Sequence, residues 1–164
     1  MKLLIVTTGG TIDKVYYDAK SAYEIGASQV PEILAESHAN FDFEVLTLFR
    51  KDSLDLTDED RERIRQAVVE HPLDHVVITH GTDTMVETAR HLGQVLGKVV
   101  VLTGSLSPAR FRNSDAVFNV GMAVGAAQSL PPGVYIAMNG RIFTPNHVRK
   151  NRERNRFEEI QEER

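Results

Sequence analysis

Five short, strongly apolar segments recur along the chain, at residues 3–6, 43–48, 75–79, 99–102 and 134–138, with helical patterns between them. No other feature constrains the fold as much. Apolar residues in succession, rather than in alternation with polar ones, mark strands covered on both faces, the condition of a parallel sheet flanked by helices. The intervening stretches supply those helices. Pro31 opens one through Ile33 and Leu34. Thr57 offers an N-cap to a second, with Asp58, Glu59 and Asp60 in its first turn and Ile64, Ala67 and Val68 as its apolar stripe. A third helix is expected to carry Ala89, Leu92, Val95 and Leu96, and a fourth to run over 114–128.

The expected architecture is α/β: a mainly parallel β-sheet with helices on both faces, Rossmann/flavodoxin-like, in one domain of 164 residues. No fixed-period repeat or low-complexity linker divides it. The opening MKLLIVTTGG reads as an interior strand, because its apolar run is too short for a signal peptide, and no later segment is long enough to span a membrane. A formal net charge of -4 gives no electrostatic basis for binding nucleic acid. With no cysteine the chain has neither disulfides nor thiolate chemistry, which suits a reducing compartment, the cytoplasm. Residues 149–164 are strongly charged and are expected to form a solvated helix or a frayed tail.

In an open parallel sheet, ligands bind beyond the carboxyl ends of the strands. Those ends carry Thr7-Thr8-Gly9-Gly10-Thr11-Ile12, Thr79-His80-Gly81-Thr82-Asp83-Thr84-Met85 and Thr103-Gly104-Ser105. Glycines in the first segment admit a ligand close to the backbone and leave N–H groups free for an anion or an oxyanion. Both phosphate fingerprints, G-x-G-x-x-G and G-x-x-x-x-G-K-[ST], are absent, and a plain tight turn is the competing reading. A threonine hydroxyl there would need a base or a cation beside it to act as a nucleophile. In the second segment a helix cap accounts for one polar residue, Thr82 or Asp83, but not for the whole cluster. His80 fits either a general base or a structural hydrogen-bonder.

These two segments resemble, in order and separation, the two signature segments of the bacterial-type L-asparaginases. Further similarity lies in Ser21-Ala22-Tyr23-Glu24-Ile25-Gly26, in Asp52-Ser53-Leu54-Asp55-Leu56-Thr57, and in Lys150 soon after Met138-Asn139. The resemblance covers residues 1–157, the asparaginase-like amino-terminal domain, and leaves 158–164 as a charged tail. It implies hydrolysis of L-asparagine to L-aspartate and ammonia through an acyl-enzyme, with no cofactor and no metal. Thr11 would be the nucleophile, and Tyr23, on a mobile loop, would help activate it. Thr82, Asp83 and Lys150 would form the second side of the site, with Asp83 also meeting the substrate's ammonium group. Gly10 and Ser53 would bind substrate, Ser53 through its α-carboxylate, and backbone N–H groups near Thr11 and Thr82 would form the oxyanion hole. Apart from the resemblance, Lys150 reads as one solvated charge in the run Arg149, Lys150, Arg152, Arg154 and Arg156, Tyr23 as a loop residue, and Ser53 as a turn or cap.

Members of the resembled family are about twice as long and have a carboxy-terminal domain whose carboxylate helps hold the ammonium group. The sequence ends soon after Lys150 and shows no counterpart, and Leu54 stands where many relatives have a polar residue. Glu158 or Glu159 could supply a carboxylate, residues 13–28 could act as a lid, and a neighbouring copy in a homo-oligomer could cover the site. The alternatives are a deamidase of another small amide, a non-catalytic amino-acid sensor and, least supported, a nucleotide-binding domain.

Overall fold

Leu3, Leu4, Ile5 and Val6 are all fully buried, but they divide between two cores. Leu4 and Val6 face one side of the sheet and Leu3 and Ile5 the other, so an unbroken apolar run is what a strand covered on both faces requires. The structure, a computed structural model, describes residues 1–161. This first strand, β1 (Lys2–Gly9), pairs in parallel with β4 (Asp42–Lys51) on one side and β5 (His75–Thr79) on the other. β6 (Val99–Thr103) and β7 (Gly133–Met138) continue the parallel sheet, and β8 (Arg141–Phe143) closes it antiparallel. The order is β4-β1-β5-β6-β7-β8, the doubly wound arrangement expected, with its strand order reversing between β1 and β5.

Among the described residues, four α-helices cover the two faces. α1 (Val30–Glu36) and α4 (Ala116–Ser129) bury Val30, Ile33, Leu34, Val120, Ala123 and Ala127 with Leu3 and Ile5. α2 (Asp58–Glu70) and α3 (Met85–Leu92) bury Ile64, Val68, Met85, Ala89 and Leu92 with Leu4 and Val6. Thr57 caps α2 as its sequence indicates. Its hydroxyl accepts the Asp60 N–H at 3.1 Å, and the Asp60 carboxylate accepts the Thr57 N–H at 3.1 Å.

Four segments depart from the sequence expectation. α3 ends at Leu92, because Gly93 at φ 58° stops it; Val95 is buried after the helix and Leu96 is 92% exposed. The polar stretch after β1 is no open loop. It holds an antiparallel hairpin, β2 (Lys14–Tyr17) and β3 (Ala22–Ile25). The antiparallel β8 follows a two-residue Asn139-Gly140 turn in which both residues have positive φ, the type that joins a tight hairpin.

The charged segment expected as a helix or tail forms a second hairpin, β9 (Val148–Asn151) with β10 (Arg156–Glu159). Val148 and Phe157 bury into the α2–α3 core, and the Asn139 carboxamide oxygen accepts the Phe157 N–H at 2.9 Å. Two anchors therefore dock a segment that is otherwise charged. Residues 162–164 of the expected tail lie outside the described residues.

Phe157→Ala should lower the unfolding free energy in urea titration by about 3–4 kcal/mol, the range for truncating a buried phenylalanine. Leu96→Ala should change it by no more than about 0.5 kcal/mol, as for an exposed side chain.

Candidate active site

At the β1–β5 switch point the exits of neighbouring strands touch through their backbones. Gly10, at φ 93°, lies so close to Gly81 that a Cβ on it would sit 2.5 Å from the Gly81 nitrogen. A Cβ on Gly81 would in turn sit 2.6 Å from that of Ser53. Only glycine fits either position, and the two contacts bring the Thr11 turn, the Thr82-Asp83 segment and the Ser53 turn to one place.

Across this junction Lys150 of β9 points at the end of β5. Its Nζ donates to Thr82 Oγ1 at 2.7 Å and to Asp83 Oδ1 at 2.8 Å. Thr82 is buried, the Lys150 side chain is 12% exposed and that of Asp83 32%, so the trio runs from the interior to the open edge of the sheet. Arg152 approaches the same carboxylate oxygen at 3.8 Å. Lys150 is thus no solvated member of its basic run, since it holds a hydroxyl and a carboxylate from the turn that follows β5.

Ser53 is buried at the start of a 3-10 turn, where its hydroxyl accepts the Thr84 N–H at 3.3 Å and its carbonyl accepts the Thr84 hydroxyl at 2.8 Å. It therefore supports the Thr82-Asp83 segment and keeps its own O–H proton for a further partner. Thr11 opens a 3-10 turn in which Asp13 N–H donates to Gly10 O at 3.2 Å. Its half-buried hydroxyl has no hydrogen-bond partner among the described residues. Tyr23, on β3, is 50% exposed and packs edge-on against Tyr16 and Phe111, with ring centroids 5.4 and 5.9 Å away. The structure gives it no hydrogen bond to Thr11. Nor does it bring Glu158 or Glu159 to Asp83: Glu158 is bonded to Asn151 and Arg156, and Glu159 pairs with Arg141.

His80 is a structural residue. It is fully buried, with Nδ1 2.6 Å from the Gly81 carbonyl and Nε2 2.7 Å from the Thr88 hydroxyl. A carbonyl only accepts, so the proton is on Nδ1 and Nε2 accepts from Thr88, which itself accepts from Arg61 Nε at 3.2 Å. Burial pushes the imidazole pKa down to about 4, with the charge of Arg61 acting in the same direction.

Sequence reasoning missed Asn119 and gave no role to Asn139, and these two hold the hairpin of Lys150 in place. Asn119 Nδ2 donates to Gly104 O at 2.9 Å, its Oδ1 accepts the Asn139 N–H at 3.3 Å, and Asn139 in turn holds Phe157, the register partner of Lys150. The signal for Asn119 was there: one amide in the otherwise apolar AVFNVGMAVGAA.

Fold and site define a doubly wound α/β domain with a hydroxyl–lysine–carboxylate group at its switch point. The family profile described as "Asparaginase, N-terminal" matches residues 2–163, and the chain belongs to that family. It is 37% identical over 160 residues to the L-asparaginase of Thermococcus kodakarensis, a match covering 92% of this chain and 48% of the relative. It is 33% identical over 163 residues to the glutaminase-asparaginase of Acinetobacter glutaminasificans, covering 90% and 49%. The solved structure of the thermostable Thermococcus kodakarensis L-asparaginase superposes with a TM-score of 0.84 at 32% identity, covering 98% of this chain and 51% of that one. The chain thus spans about half the length of the curated relatives it matches.

The neutral His80 has a consequence for stability. The unfolded chain takes up a proton near pH 6.5 and the folded one only near 4, so His80 favours unfolding increasingly as pH falls through that window. Between pH 6.5 and 4, urea titrations should show wild type losing about 3 kcal/mol relative to His80→Gln. Parallel pH profiles for the two proteins would show that the imidazole is not buried neutral.

Proposed function

We propose that the chain carries the amide-cleaving apparatus of an L-asparaginase, with Thr11 as the nucleophile. The observation that carries the reading is the Lys150 ammonium bonded to both Thr82 and Asp83, across a glycine contact from the Thr11 turn. Attack by the Thr11 hydroxyl on a primary amide carbon forms a C–O bond. The proton that Thr11 loses goes to the nitrogen, the C–N bond breaks and ammonia leaves. Water then cleaves the acyl ester, regenerating the hydroxyl and releasing the acid.

Thr82 is suited to move protons in both steps. Its oxygen already accepts from Lys150, so its own O–H is directed elsewhere, and the ammonium stabilises negative charge on that oxygen. The Thr82 and Asp83 backbone N–H groups bond no acceptor among the described residues and are available to an oxyanion. Asp83 Oδ2 and the Ser53 hydroxyl proton remain for the ammonium and carboxylate of an α-amino acid amide. The relatives named for asparagine, and for glutamine with asparagine, support small side-chain amides as substrates. Tyr23 would act from the β2–β3 hairpin. The reaction needs no cofactor, and a chain without cysteine suits the cytoplasm.

The site is best completed by a second copy. Phe111, Val117, Phe118 and Ile142 are exposed apolar side chains that a homo-oligomer would cover. Light scattering should show at least a dimer, and a monomer with full activity would remove this part of the reading.

Ammonia release from asparagine, glutamine and other small amides tests the chemistry. Thr11→Ala should lower release by about 10⁴-fold or more, and Lys150→Met by about 10²–10⁴-fold. Release that survives Thr11→Ala excludes the nucleophile assignment. No release from any amide, with amino-acid binding in calorimetry, would point to a sensor instead.

A further inference from the structure

Asp13 is a buried carboxylate two residues after Thr11, and the chemistry above does not use it. Its three polar groups all bond to segments around the hairpin. The N–H donates to Gly10 O at 3.2 Å, which tightens the Thr11 turn. The carbonyl accepts the Gly26 N–H at 2.9 Å, just past the end of β3. Oδ1 accepts the Gln29 N–H at 2.9 Å, where the chain enters α1.

One residue therefore joins the turn before the hairpin to both segments after it. The hairpin has few other ties. Tyr16, Tyr17 and Tyr23 are exposed, Lys14 reaches Asp52 at 3.9 Å, and Tyr23 rests edge-on against Phe111. Beyond Gln29 the clasp continues to Arg110, whose Nε donates to Gln29 Oε1 at 3.3 Å, while Ala109 N–H holds Ile12 O at 3.0 Å.

We propose that Asp13 is a positioning residue: its carboxylate clasps the base of the β2–β3 hairpin and fixes Tyr23 relative to the turn that carries Thr11. A residue needed only to fill this space could be apolar, whereas Asp13 keeps an acceptor in a buried place. Burial pushes its carboxyl up to about 6, the Gln29 N–H and the Arg50 charge opposing, so ionising it is less favourable in the fold than in water. The acceptor oxygen, which an asparagine shares, is what the clasp needs. The placement of Tyr23 rests on the amide-hydrolase reading above; the clasp itself does not.

Hydrogen exchange and kinetics on Asp13→Ala and Asp13→Asn test it. In Asp13→Ala, amide exchange of residues 14–25 should rise about tenfold or more, with the central strands unchanged. The kcat/KM for ammonia release should fall about tenfold, with KM rising as kcat falls, as for a displaced lid. Asp13→Asn, whose amide oxygen accepts the same N–H, should stay within about threefold of wild type on both measures. Should Asp13→Ala fail to fold, Gln29→Pro removes the donor and leaves Asp13 in place, and it should loosen the same segment. Unchanged exchange in 14–25, or an asparagine variant as impaired as the alanine one, overturns the proposal. Exchange is read without substrate, so a protein that cleaves no amide would refute the hydrolase reading and leave the clasp standing.

Discussion

The contact of Gly10 with Gly81 is the constraint on which the site depends. Parallel strands sit close to 4.8 Å apart, and side chains normally keep the loops that leave them further separated. Here two residues without a Cβ let the exits of β1 and β5 touch, and the Gly81–Ser53 contact adds the exit of β4. The reversal of strand order falls between β1 and β5, so the two loops diverge to opposite faces just beyond that contact. The Thr11 turn and the Thr82-Asp83 segment thereby leave the sheet from adjoining strand ends. A Cβ at position 10 would sit 2.5 Å from the Gly81 backbone nitrogen, and one at position 81 would sit 2.6 Å from the Ser53 Cβ. No rotamer change moves either atom away.

The Thr82-Asp83 segment is held in place by its neighbours. His80 and Thr88 fix the segment from beneath with a neutral hydrogen-bond chain in which each partner's role follows from the Gly81 carbonyl. Ser53 fixes it from the β4 side through Thr84. A fully buried charged imidazole would be expensive here, and a neutral one bonded at both nitrogens is not. Histidine at this position is thus a fixing element, although its place in a polar motif is equally that of a general base.

How legible this was depends on the distance over which each feature is encoded. The five strands could be read because burial on both faces writes itself as a local run, and Thr57 because a capping box spans four residues. The β9–β10 hairpin could not: only Val148 and Phe157 bury deeply, and charged residues between them mask a period of two. Lys150 looked solvated for the same reason. Its pairing with Thr82 and Asp83 spans 67 or 68 residues, which no local pattern encodes; only the resemblance to a known family pointed there. Around Tyr23 the motif was legible, while the ring contacts with Tyr16 and Phe111 that hold it were not.

Holding Lys150 from so far away has a physical rationale. An ammonium only 12% exposed needs acceptors that stay in place, because a buried charge that loses its partner costs several kcal/mol. A flexible tail would not provide that. Instead Asn119, inside α4, reaches both Gly104 and Asn139, and Asn139 fixes the Phe157 strand that pairs with Lys150. The lysine is thus referenced to the exit of β6, the strand beside β5, whose exit carries Thr82 and Asp83. Two of its three N–H donors are committed, to a hydroxyl and to a carboxylate, and the pair it forms with Asp83 is neutral overall. Such a pair polarises the hydroxyl beside it, with Arg152 reaching the same carboxylate at 3.8 Å, an arrangement that would suit the proton relay proposed for Thr82.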